Sequence, residues 1–151
     1  MSDTLSTAIH RRVAALRAGS EPTAIARLAS GWLVLGDPQV ISGYCLLLPD
    51  PVVPHLNALA AAGRAQFLLD MSRLGDAALA VMAAVRVNYA IFGNQDPALH
   101  AHVFPRRADE PPALAGQQPW AWNWQAAAPF APAAHAPLLA ALRAALAAPV
   151  P

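Results

Sequence analysis

The sequence predicts an α+β domain, with an antiparallel sheet of about five strands covered by an N-terminal helix and a long central helix. Three observations carry this prediction. Short apolar runs are bounded by Gly, Pro and Asp, as half-buried strands are. One long stretch, Gly63 to about Arg86, repeats apolar residues at intervals of three and four. A shorter N-terminal stretch does the same.

Ser2 or Asp3 can cap the first helix, which runs to about Arg17 with Leu5, Ile9, Val13 and Leu16 on one face and Gly19 at its end. Ala24 to Ala29 reads as a strand leading into Trp32-Leu33-Val34-Leu35, and Gly36-Asp37-Pro38 as a turn. Tyr44 to Leu48 is a buried strand stopped by Pro49, with Cys45 alternating away from Tyr44 as an inert core residue. In the central helix Phe67, Met71, Leu74, Ala78, Val81 and Val85 make the apolar stripe, and Asp70 and Arg73 are spaced to pair across one turn. Val87 to Phe92 and Leu99 to Phe104 read as strands joined by a turn over Gly93 to Pro97. Beyond them "DEPPALAGQQP" reads as a loop, and Leu138 to Leu146 as a short closing helix stopped by Pro149.

Bulk properties narrow the function. The 151 residues are enough for one domain, 56% hydrophobic and 13% charged. The longest strongly apolar stretch, Ala77 to Val85, falls far short of the ~20 residues a membrane helix needs. The N-terminus lacks the apolar core of a secretory signal, and the single Cys45 has no partner for an internal disulfide, which together predict a cytoplasmic protein. Ten basic against nine acidic residues argue against a nucleic-acid surface. All the basic residues are arginine. The absence of lysine excludes a Walker-type phosphate loop and Schiff-base chemistry.

The most informative stretch is "PALHAHVFPR", Pro97 to Arg106. On a strand His100 and His102 project from one face about 7 Å apart, while Leu99, Ala101 and Val103 point to the other. The pair admits three readings: a metal site, a catalytic pair, or two histidines that share a strand. Zinc needs a third ligand, and His10, His55 and His135 fall in helix or linker contexts while Cys45 lies in a separate strand. Downstream, "PWAWNW" puts Trp120, Trp122 and Trp124 on one face if extended, either as packing of the C-terminal segment or as a base-stacking wall over the pocket.

The run closely resembles the signature of the histidine triad (HIT) superfamily, in which three histidines alternate with apolar residues, and its dinucleoside polyphosphate (Ap4A-type) hydrolase-like branch, in which Pro-Arg follows. Ala98 stands at the first histidine, His100 at the second, His102 at the third, and Phe104-Pro105-Arg106 matches the ending. "NYAIFGNQ" looks like the preceding strand and turn, with Gly93-Asn94 at the phosphate-binding asparagine. "SGYCLLLP" resembles an upstream strand, with Tyr44 where many members carry a further histidine. The likeness spans about Ala29 to Arg107.

The resemblance implies a HIT-like nucleotide-binding domain over residues 1–110. The remaining residues, 111–151, are then a Pro/Ala/Trp-rich extension packing on the domain or on a dimer partner. It implies hydrolysis or transfer at the α-phosphate of a (di)nucleoside polyphosphate or nucleoside phosphoramidate through a nucleotidyl-His100 intermediate. His100 is then the nucleophile, oriented by the backbone carbonyl of Ala98, and His102 the donor to the leaving group or a phosphate oxygen. Asn94, with Gly93 and Gln95, is expected to hold phosphate oxygens, Arg106 to attract the polyphosphate tail, Tyr44 to donate one hydrogen bond, and Asp37 to lie near the ribose. No cofactor is called for. The expected partners are a small-molecule nucleotide and a second copy in a homodimer, with no nucleic acid and no membrane. A catalytically weak nucleotide-binding protein on the same fold, and a metal-binding domain using the two histidines, are the alternatives.

Overall fold

A computed structural model describes residues 6–149. Five strands form one sheet in the order β1-β2-β3-β5-β4, every neighbouring pair antiparallel. The strands are β1 (Ala24–Arg27), β2 (Gly31–Leu35), β3 (Cys45–Pro49), β4 (Arg86–Ile91) and β5 (Ala101–Arg106). Four helices accompany them: α1 (Ala8–Arg17), α2 (Ala61–Met82), the single turn α3 (Pro112–Ala115) and α4 (Pro132–Ala147). The α+β class, the antiparallel sheet and the two expected covering helices are all present.

Because side chains alternate along a strand, the sheet buries a different cluster on each face. On one face Leu33, Leu35, Cys45, Leu47, Ala101 and Val103 meet Phe67 and Leu74 of α2 and Leu139 and Leu142 of α4. On the other, Val34, Tyr44, Leu46, Leu48 and Phe104 meet Ile9, Val13 and Leu16 of α1, with Trp122 and Trp124 packed alongside. Thus α4 supplies core to its own domain. Arg143 fixes it to β1, its Nε donating to the carbonyl of Ile25 at 3.1 Å.

Several boundaries differ from the sequence expectation, each for a local reason. α1 begins at Ala8 because Thr7 caps it: its hydroxyl accepts the His10 N–H at 3.3 Å while His10 Nδ1 accepts the Thr7 N–H at 3.4 Å. Ser2, Asp3 and Leu5 lie outside the described residues. Gly19, at φ +72°, ends the helix as expected. α2 stops at Met82 and not near Arg86, because Ala83 turns left-handed and the Val85 N–H is taken by the carbonyl of Arg106 at 2.8 Å. The expected loop after Glu110 contains α3, and α4 starts six residues before Leu138 because Pro132 sits in its first turn, where its missing N–H costs nothing. The Asp70–Arg73 pair forms at 3.5 Å, but fully buried Asp70 is satisfied chiefly by Ser30, whose N–H and hydroxyl donate to it at 2.9 and 2.7 Å. That contact locks α2 to the β1–β2 turn. No described helix is long and apolar enough to cross a membrane.

Candidate active site around His100 and His102

The two histidines reach the α1 face of the sheet by different means. His102 is in β5, opposite Leu46 of β3 and Ala90 of β4. His100 precedes the strand, since the Leu99 N–H bonds to Val53 at 2.8 Å and so keeps that residue out of the ladder. Their rings still meet edge to face, 4.9 Å between centroids. Ala98, where the signature has its first histidine, is buried in the apolar cluster under α1.

His100 has its tautomer set by the backbone. Its Nδ1 lies 2.7 Å from the carbonyl oxygen of Ala98. A carbonyl only accepts, so Nδ1 carries a proton, and in the neutral ring the lone pair is on Nε2. Loss of the side chain at 98 leaves this contact untouched.

His102 sits among aromatic rings. Tyr44 and Phe104 lie nearly parallel to it at 5.9 Å each, and Trp120 meets it edge-on at 5.3 Å. This burial, with the nearby His100 as the lesser cause, lowers its pKa to about 4, so the ring is neutral at pH 7. The Tyr44 hydroxyl is 2.7 Å from His102 Nδ1, and burial holds the phenol protonated by raising its pKa. Donation from Tyr44 to Nδ1 satisfies the buried hydroxyl and places the single His102 proton on Nε2. Tyr44 itself is fixed by stacking on Phe104 at 4.3 Å and by Gly36, where a Cβ would collide with its ring. Cys45, on the opposite face, is buried and its thiol pKa is raised by that burial.

The pKa of His102 has a consequence for stability. Its folded value of about 4 lies below the ordinary 6.5, so between those values the unfolded chain binds the extra proton. Stability is therefore expected to fall as pH drops from 6.5 to 4, by roughly 2 kcal/mol from this group after allowing for its partial exposure. Urea unfolding at a series of pH values checks this: the difference between wild type and His102→Gln should change across that window, and a constant difference would contradict it.

A cavity of about 700 Å³ opens beside the pair, lined by Phe92, Gly93, Asn94, Gln95, Asp96, His100, His102, Gln118, Trp120 and Trp124. Of the residues expected from sequence, His100, His102, Gly93, Asn94 and Gln95 come together here, with Tyr44 just behind His102. Gly93 adopts φ +93°, which shapes the turn. Asp96 anchors that turn to α1, its Oδ2 accepting the Ile9 N–H at 3.1 Å. Two expected residues lie elsewhere. Asp37 is exposed and its Oδ1 accepts the Phe130 N–H at 2.9 Å.

Arg106 is 5% exposed and spends its guanidinium on the C-terminal segment. It donates to both Glu110 carboxylate oxygens at 2.8 Å, to Asn88 Oδ1, and to the carbonyls of Leu114, Ala115 and Gln117, with the Trp122 ring 5.8 Å away. Its donors are used up, so it is neither a solvated strand end nor a cation open to a phosphate tail.

Phe92, Asp96 and Gln118 were missed by sequence reasoning. Phe92 was findable, since alternation along β4 continues Asn88 and Ala90 onto the histidine face. Gln118 carries no local signal. The tryptophans do not alternate as an extended strand: the turn over Pro119–Ala121 stacks Trp120 on Trp124 at 6.0 Å beside the cavity and sends Trp122 toward Arg106. Among the described residues no group of three or more His, Cys, Asp or Glu is placed to hold a metal.

No family model and no curated protein matches the chain. Solved structures do. A hypothetical histidine triad nucleotide-binding protein from Sulfolobus tokodaii strain7 superposes with a TM-score of 0.71 at 12% identity, over 90% of this chain and 91% of its own. A histidine triad protein from Marinobacter aquaeolei VT8 gives 0.66 at 19% identity, over 93% and 96%. Another from Sinorhizobium meliloti 1021 gives 0.66 at 20%, over 79% and 85%. With its five-stranded antiparallel sheet and flanking helices, this chain has the fold of the histidine triad proteins.

Proposed function

We propose that this chain is a nucleotide hydrolase or transferase of the histidine triad superfamily, acting at the α-phosphate of a (di)nucleoside polyphosphate or nucleoside phosphoramidate through a nucleotidyl-His100 intermediate. The observation that carries the reading is the 2.7 Å contact between His100 Nδ1 and the Ala98 carbonyl, made beside a cavity large enough for a nucleotide. It leaves Nε2 as a nucleophile held in one orientation.

In the first step the Nε2 lone pair attacks the α-phosphorus and the bond to the leaving group breaks, its electron pair departing with the leaving atom. The positive charge gained by the His100 ring is stabilised through its Nδ1–H bond to Ala98. His102 donates its Nε2–H to a non-bridging oxygen as charge develops there, and Asn94 with the turn N–H groups donates to another. In the second step water attacks phosphorus, the P–N electron pair returns to Nε2, and the mononucleotide leaves with a proton lost to solvent. Because His102 is neutral, it stabilises charge and does not surrender a proton. That favours leaving groups stable as anions, such as a phosphate chain, over amines that must be protonated to leave.

Incubation with a dinucleoside polyphosphate and with a nucleoside phosphoramidate tests the reading by the release of mononucleotide. Thermal stabilisation by nucleotide without any product would reduce it to the nucleotide-binding alternative. Tyr44→Phe keeps the stacked ring and removes the bond that sets the His102 proton. It is expected to lower kcat about tenfold, the equivalent of ~1.4 kcal/mol, with melting behaviour near wild type. An unchanged kcat would remove Tyr44 from the mechanism. The protein is further proposed to be a homodimer, which light scattering on the purified chain checks by mass.

A further inference from the structure

The segment from Gln118 to Ala127 lies against His102 without being tied to the sheet by hydrogen bonds. Among the described residues its bonds all run within it. Ala121 N–H donates to Gln118, Trp122 N–H and Trp124 Nε1–H to Pro119, Trp124 N–H to Trp122, Ala126 N–H to Asn123 Oδ1 and Ala127 N–H to Trp124. The pins lie just beyond its ends. Ahead of it Arg106 donates to the Gln117 carbonyl at 2.8 Å. Behind it the Gln39 N–H donates to the Ala128 carbonyl at 3.0 Å, and Asp37 Oδ1 accepts the Phe130 N–H at 2.9 Å. A loop bonded to itself and held at its ends can move as one piece.

Its seat is aromatic. Between ring centroids, Trp120 lies 5.3 Å from His102 and 5.4 Å from Phe104, and Trp124 lies 5.7 Å from Tyr44. From Pro111 to Leu142 the chain has no Asp, Glu, Lys or Arg, so the segment offers no charge to pair with an imidazolium beneath it. Trp122 Nε1 is buried without an acceptor, and lifting the segment gives it water.

A second proton on His102 has no place under this segment. It would go to Nδ1, which lies 2.7 Å from the Tyr44 hydroxyl, so two donors would face each other. The hydroxyl has no other hydrogen-bond partner among the described residues. The surrounding groups offer no relief. His100 is a neighbouring base whose charge opposes the proton, and Leu46 and Ala90 flank His102 in the sheet. Asp96, in the cavity wall, spends Oδ2 on the Ile9 N–H, and Arg12 of α1 adds positive charge behind Tyr44. Burial already lowers the His102 pKa to about 4, against 6.5 for a solvated ring.

We propose that residues 118–127 form an acid-opened cover, closed while His102 carries one proton and lifted when it takes a second. The open form binds that proton more tightly, so opening grows as pH falls from 6.5 toward 4. Lifting also removes Gln118, Trp120 and Trp124 from the cavity wall, so acid reshapes the site as well as exposing it. The front anchor stays charged meanwhile, because Arg106 holds the Glu110 carboxyl below the usual carboxylate range. None of this requires turnover at His100.

Acrylamide quenching of tryptophan fluorescence reads the opening, because three of the four tryptophans lie in the cover and Trp32→Phe removes the fourth. From about pH 7.5 to about pH 4.5 the quenching constant should rise about twofold. In His102→Gln, which keeps an acceptor for Tyr44 but takes no proton, it should stay at the low value throughout. His100→Gln should keep the rise and move it to higher pH, since the charge opposing the second proton is gone. Asp37→Asn should leave the rise unchanged, because its amide oxygen still accepts the Phe130 N–H. Cys45, buried on the opposite face, should stay unlabelled by a disulfide reagent over the same range. The proposal is overturned by an absent rise, by one that persists in His102→Gln, or by one lost in Asp37→Asn. A rise matched by Cys45 labelling overturns it too, as unfolding of the whole domain.

Discussion

Replacing His100 by alanine is expected to reduce turnover by at least about 10⁴-fold, the equivalent of ~5.5 kcal/mol of barrier, because no other described side chain can take over as nucleophile. The same change should scarcely affect stability. His100 is half-buried beside an open cavity, and its one intramolecular bond, to the Ala98 carbonyl, is replaced by a bond from water to that carbonyl. Affinity for the product mononucleotide should stay within a few-fold of wild type, since Asn94, the Gly93 turn and His102 remain in the cavity wall. Rates under single-turnover conditions, set beside a melting curve and a calorimetric titration, separate these expectations. A loss of activity matched by a loss of folding would say instead that His100 is a structural residue.

Replacing Arg106 by alanine should have the largest effect on stability, about 3–5 kcal/mol in denaturant unfolding, because it strands a buried Glu110 carboxylate and frees three backbone carbonyls. Glu110→Gln keeps one acceptor for Arg106, the amide oxygen, and leaves no buried charge unpaired on its own side, so it should cost less. The turn bearing Trp120 is held in part by the bond from Arg106 to Gln117, so Arg106→Ala is also expected to lower activity by loosening the wall over His102. A direct contact to the phosphate tail predicts the opposite signature: a raised KM with unfolding unchanged. Parallel measurement of unfolding free energy and KM decides between the two.

How much of this was legible in the sequence varies by element. Ile9, Val13 and Leu16 repeat at helical spacing and are buried together. The "CLLLP" run is a strand buried along its whole length between two helical layers. The histidine pair and the Gly93-Asn94 turn do share a cavity, although only His102 lies in the β5 ladder and His100 precedes it, held by its bond to the Ala98 carbonyl. What failed depended on contacts distant in sequence. Ala83 ends α2 because β5 captures the next backbone groups, not because alanine breaks helices. Arg106 is expected from the signature to attract a polyphosphate tail, but the chain from Glu110 to Gln117 folds back over it. Tyr44 and His102 are 58 residues apart, and only the pairing of β3 with β5 brings hydroxyl to imidazole.

The stereochemical course at the α-phosphorus tests the nucleophilic role of His100 most directly. A substrate made chiral there with sulfur and oxygen isotopes should yield product of retained configuration, since attack by Nε2 and then by water are two in-line displacements. Net inversion would mean that water attacks phosphorus in a single step and that no nucleotidyl-His100 forms.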